Sequence, residues 1–117
     1  MKRSESLKKY DEFRNVYQNG RSFANKYFVM YVLENKKEIN RLGISVSKKV
    51  GNSVVRHHLT RLIRESYRLN EEKFSSGLDI VVVMRTTAKD INYAQAESAL
   101  LHAGRIQGIV EKSEYES

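Results

Sequence analysis

Residues Arg41–Arg68 read RLGISVSKKVGNSVVRHHLTRLIRESYR. This run decides the fold, because it spells a strand, a tight turn and an amphipathic helix in succession. From Arg41 to Ser47 the residues alternate. Leu42, Ile44 and Val46 share one strand face, and Gly43, Ser45 and Ser47 share the other. Small side chains on a strand face leave room for something to approach closely. Lys48-Lys49-Val50-Gly51-Asn52 then turns the chain, and Asn52 or Ser53 caps the helix that follows. A helix advances about 100° per residue. On that projection His57, Arg61, Arg64 and Arg68 fall within an arc of about 60°, and Val55, Leu59, Leu62 and Ile63 occupy a second arc. With Arg56, the helix offers an apolar face for burial and guanidinium forks for a partner. Such forks match phosphate geometry and stack on bases. A solvated helix face usually mixes charge signs for i,i+4 support. Here Glu65 alone balances the basic residues. The helix N-terminus, with Lys48 and Lys49 before it, is also a natural phosphate seat.

Charge extends this reading to the whole chain. The 117 residues carry a net +7. Residues 1–68 hold 16 Lys and Arg against 6 Asp and Glu; residues 69–117 hold 5 against 8. A basic half beside a mildly acidic one suggests a surface for a polyanion, with nucleic acid ahead of an anionic membrane. The length suits one domain over residues 1–117, with a loose tail from about 111. There is no cysteine, so neither disulfides nor a cysteine zinc site can form. No secretory signal and no membrane-spanning run is visible, which fits a reducing cytoplasm.

The flanking segments supply the remaining elements. Residues 7–19 predict an amphipathic helix stopped by Gly20, with Leu7, Phe13, Val16 and Tyr17 as its apolar set. Phe13 and Tyr17, four apart, point the same way. Each ring taken singly reads as core; the alternative is a groove where bases stack. Residues 21–33 predict one strand, with Tyr27, Val29, Tyr31 and Leu33 on one face and Phe28, Met30 and Val32 on the other. Residues 34–40 predict a polar, hairpin-like connection. The basic helix frays near Asn70–Ser76, and Gly77 breaks the pattern. Residues 78–85, LDIVVVMR, predict a strand buried on both faces at the middle of a sheet. Residues 91–104 predict a last helix with Ala94, Leu100 and Leu101 inward.

Enzyme motifs are absent: there is no G-x-S-x-G, no P-loop and no H-E-x-x-H. His57 and His58 are helix neighbours about 100° apart, so they diverge rather than flank a common point. His57 belongs with the basic arc, and His58 is expected at the core boundary. No catalytic residue and no protein-held metal ligand is assigned.

The combination of SVSKKVGNSVVR, RLIRE and the N-terminal LKKYDEFRNVYQNGRSFANKYFVMY resembles the bacterial ribonuclease P protein subunit. The chain departs from that family's Arg-Asn-Arg triplet, with His57-His58 following Arg56 and Thr60 at a usually basic position. Loss of fixed charge there implies a shallower salt dependence of RNA binding. The resemblance implies an α+β fold: a two-layer α–β sandwich of a four-stranded sheet and three helices, with a left-handed βαβ crossover. It implies a cofactor of a catalytic RNA that removes the 5′ leader of precursor tRNA by magnesium-dependent hydrolysis. Mg2+ would be held mainly by that RNA. By the same resemblance Lys48, Lys49, Asn52, Arg56, His57, Arg61, Arg64 and Arg68 contact the catalytic RNA. Phe13, Tyr17, Val29, Tyr31 and Lys48 line a leader cleft. The partners implied are ribonuclease P RNA and precursor tRNA, with a weak homodimer left open. The competing class is a general RNA-binding or ribosome-assembly protein without a part in cleavage.

Overall fold

The computed structural model describes residues 4–111. Of the expected loose tail, Glu111 is exposed and outside regular structure, and 112–117 lie outside the described residues. The chain runs β1 (Ser4–Ser6), α1 (Tyr10–Asn19), β2 (Arg21–Ala24), β3 (Phe28–Glu34), β4 (Asn40–Ser45), α2 (Ser53–Leu69), β5 (Leu78–Met84) and α3 (Tyr93–Ile106). The strands form one mixed sheet in the order β1-β4-β5-β3-β2. It has five strands, not four. The extra strand is β1, a polar SES segment that pairs parallel with β4. Its sequence carries no apolar alternation, so only the long-range pairing reveals it.

Further expectations change. The predicted strand 21–33 is a hairpin of β2 and β3. Asn25 Oδ1 accepts from the backbone amides of Tyr27 and Phe28 at 2.9 and 3.0 Å, which turns the chain between them. The 34–40 connection is not a hairpin either, because β5 lies between β3 and β4, antiparallel to the first and parallel to the second. The first helix starts at Tyr10, not Leu7. Leu7 precedes it and is buried, donating its amide to Leu42 O at 2.9 Å. Gly20 does end that helix, in extended backbone. A Cβ there would lie 2.6 Å from Val16 O and 2.8 Å from Val32 O.

Burial on both faces of β5 follows from its central place. Ile80, Val82 and Met84 enter the larger core with Leu59 and Ile63 of α2 and Leu100 of α3. Val81 faces the opposite side, with Leu7 and Val16. The sandwich is thus α2 and α3 on one sheet face, with α1 across part of the other. Where the basic helix was expected to fray, a 3₁₀ turn, Glu71–Lys73, continues it, and Phe74 is buried. On α3, Leu100 and Leu101 are buried as expected, but Ala94 is exposed and Ala96 takes the inward place.

The crossover hand can be read from one residue. Leu42 sends its side chain into the core with α2, while its carbonyl faces β1. For an L-residue those two directions fix the view: seen from α2 with β4 running upward, β1 lies right and β5 left. The β4–α2–β5 connection is therefore left-handed, against a preference of about 98 % for the other hand.

Candidate RNA interface

Two surfaces bring the candidate residues together, on opposite sides of the sheet. The first lies between α1 and the sheet. Phe13 and Tyr17 sit one turn apart on α1, with ring centroids 6.4 Å apart. Tyr17 meets Tyr31 of β3 edge-on at 5.0 Å and 70°. Tyr17 remains 39 % exposed, so the row is a half-open groove and not closed core. Partial burial raises the Tyr17 phenol pKa, against a hydrogen bond from Ser45 that lowers it. Val29, two residues along β3, is half-buried on the same face. Tyr27 leaves this row and packs against the larger core on the α3 side. Tyr31 is therefore the ring that joins Tyr17. The small strand face around Gly43 is partly filled by the protein itself, because Phe13 lies against Gly43.

A buried charge network seats α1 at this height. Asp79, 1 % exposed on β5, accepts from Arg41 Nε at 2.8 Å and Arg41 Nη2 at 2.6 Å. Arg41 Nη1 reaches Glu12 of α1 at 2.5 Å. Asn35 Nδ2 adds a bond to Asp79 Oδ1 at 2.9 Å. The Glu12 carboxyl is held below its usual pKa, first by the Lys9 amide, then by the Lys8 amide and Arg41. Arg41, one residue before Leu42 on β4, thus bridges two elements that wall the groove. Sequence reasoning missed this network. The available signal was an aspartate inside an otherwise apolar strand, since a buried carboxylate requires a partner.

The second surface is α2. Asn52 caps it, its side chain accepting from Val55 N at 3.0 Å, so that oxygen is engaged within the protein. Lys48 and Lys49 stand exposed in the turn before it, and His57, Arg61 and Arg64 are exposed along the helix. Among the described residues no carboxylate ion-pairs with Arg56, Arg61 or Arg64. Two of the expected residues differ from that set. Arg68 is bound to Glu65, Nε to Oε2 at 3.1 Å and Nη2 to Oε1. Arg56 is half-buried, with a buried Nε lacking a hydrogen-bond partner. Its helical position, about 80° or more from the basic arc, accounts for this. His58 is exposed rather than at the core boundary, and lines a depression of about 410 Å³ with Arg61, Arg64, Glu65 and Tyr93.

Among the described residues no cluster of three or more His, Asp or Glu could hold a metal ion. The described residues therefore offer no all-protein cage for a magnesium ion. No described helix is long and apolar enough to cross a membrane.

Known proteins share this fold. Residues 1–106 match the family described as Ribonuclease P. The chain is 62 % identical over 111 residues to the ribonuclease P protein component of Lachnoclostridium phytofermentans, covering 95 % of this chain and 96 % of that one. It is 48 % identical over 99 residues to that of Clostridioides difficile, covering 84 % and 87 %. Its structure is similar to the RNase P protein of Staphylococcus aureus, with TM-score 0.84, 38 % identity, and 91 % and 97 % of the two chains covered. The RNase P protein of Thermotoga maritima follows at TM-score 0.80 and 31 % identity, covering 86 % and 96 %.

Proposed function

The chain belongs to the ribonuclease P protein family, and on that premise we propose that it binds a catalytic RNA and the 5′ leader of precursor tRNA. The holoenzyme would then cut the leader away to give the mature tRNA 5′ end. In this reading the RNA carries the magnesium and breaks the phosphodiester bond, and the protein supplies no nucleophile. Lys48, Lys49, Asn52, Arg56, His57, Arg61, Arg64 and Arg68 face the catalytic RNA. Arg61 and Arg64 carry most of that contact, because they are exposed and form no direct ion pair with a carboxylate among the described residues. Phe13, Tyr17, Val29 and Tyr31, with Lys48, receive the leader, whose unpaired bases can stack on the exposed ring row. The complex acts in the cytoplasm.

The observation that carries this reading is the separation of the two surfaces. Aromatic rings lie on one face of the sheet and unpaired guanidiniums on a helix over the other. One small protein can therefore hold two RNA segments at once: a single strand by its bases and a folded RNA by its phosphates. The test is processing of precursor tRNA by a bacterial ribonuclease P RNA at low magnesium, with and without the protein. The protein is expected to stimulate cleavage; no stimulation contradicts the proposal.

A further inference from the structure

A groove between α3 and the β2–β3 turn belongs to neither surface, and it has its own chemistry. Its volume is about 430 Å³, within the range of small-ligand sites. Tyr27 forms one wall, its hydroxyl accepting from Gln95 Nε2 at 3.4 Å. Ala94 and Ala99 of α3 leave the space in front of it open, and Ser98 and His102 border it from the same helix. The hydroxyl of Ser98 and the imidazole of His102 have no hydrogen-bond partner among the described residues. The turn is held firmly: Asn25 Nδ2 donates to Ala99 O at 3.3 Å, joining it to α3. Arg85 Nη1 donates to Asn25 O at 2.7 Å. Lys26 Nζ lies 5.6 Å from the Tyr27 ring centroid. No acidic residue lines the groove.

Each of these features selects something. A ring face opposite small side chains accepts a flat group. A cation at the rim, Lys26, with no lining carboxylate favours an anion. The Ser98 hydroxyl and the His102 imidazole, whose ring packs edge-on against Phe23 at 5.9 Å, offer hydrogen bonds to a polar edge. A flat group with a polar edge and an attached anion is a nucleotide.

We propose that this groove is a further RNA site, taking one unpaired nucleotide. The base stacks on Tyr27 in place of the Lys26 ammonium that sits over the ring, Lys26 turns to its phosphate, and Ser98 and His102 read its edge. The inference rests on the RNA-binding reading above and adds a site on the α3 side. The nucleotide could come from the leader upstream of the ring row or from a loop of the catalytic RNA, and the chemistry is the same for both.

The test begins with the full-length protein and uridine or adenosine 5′-monophosphate, followed by NMR. Shifts are expected at Tyr27, Ala94, Ala99 and His102, and they are expected to vanish in Ala94→Phe, which fills the groove. Ala94 is exposed, so the amide spectrum elsewhere is expected to stay that of the folded wild type. The holoenzyme carrying Ala94→Phe is then compared on precursors with short and long leaders. A loss of roughly fivefold or more, the scale of one stacked base, confined to the long leader assigns the nucleotide to the leader. The same loss in affinity for the catalytic RNA itself assigns it there. Nucleotide shifts missing from those four residues, or equal affinities in every arm, overturn the proposal. Stimulation of cleavage by the wild-type protein is a separate readout, so failure of the groove does not count against the function proposed above.

Discussion

The Phe13 ring lies directly against Gly43: a Cβ on Gly43 would come within 2.7 Å of both Cε1 and Cζ of the ring. The glycine on β4 therefore determines how deeply the first ring of the proposed leader groove sits. Gly43→Ala is expected to lift Phe13 toward Tyr17, at a cost of about 1–3 kcal/mol for overpacking. Affinity for leader-bearing precursor should fall, while affinity for the catalytic RNA stays unchanged. Urea unfolding and paired binding measurements check both parts.

Arg41 offers a sharper separation of stability from binding. Arg41→Ala leaves Asp79 buried with Asn35 as its remaining side-chain partner and frees Glu12 of α1. Removing one partner of a buried ion pair costs about 3–5 kcal/mol. Replacing both charges, Arg41→Met with Asp79→Leu, is expected to recover much of that stability. It should not recover leader discrimination, because Glu12 would still lack its link to β4.

The carboxylates define an acid window. Glu12, Glu65 and Glu97 all have pKa values lowered from 4.5 in the folded protein. The causes are first the Lys9 amide for Glu12, the Arg68 guanidinium for Glu65 and the Asn70 side chain for Glu97. The unfolded chain takes up protons first, so the stability from these groups is complete above 4.5. It is lost as pH falls through the lower folded values. Melting temperature is expected to be flat near neutrality and to drop below about pH 4.5. Glu12→Gln should make that drop shallower.

The basic helix predicts unequal arginines. Arg61→Ala with Arg64→Ala should weaken RNA binding and lower the salt slope by roughly 0.7–0.9 for each phosphate no longer neutralised. Stability should change by about 0–1 kcal/mol, as for other surface charges. Arg68→Ala is expected to lose less affinity than Arg61→Ala, because Glu65 already occupies its guanidinium. Salt-dependent binding to the catalytic RNA distinguishes them.

Local patterns made α2, a cap at Asn52 or Ser53, β4 and the doubly buried β5 legible in advance. Each rests on periodicity or capping within a few residues. What was hidden depends on partners far away in the chain. The β1 strand exists because β4 offers an open edge. The β2–β3 turn was marked by Asn25-Lys26 inside an apolar run, a signal outweighed by the β-branched and aromatic residues around it. In the candidate site, the Phe13 and Tyr17 pair could be read from spacing, and Tyr31 beside it only from resemblance. The Glu12–Arg41–Asp79 clamp and the half-burial of Arg56 needed the tertiary packing.

The central claim is that the ring row holds a leader while α2 holds the catalytic RNA. It is tested most directly by the affinity of the assembled holoenzyme for precursor tRNA and for mature tRNA. Tighter binding of the precursor is expected, with the difference removed when Phe13, Tyr17 and Tyr31 are changed together to alanine. Equal affinity for the two tRNAs with the wild-type protein would contradict the account.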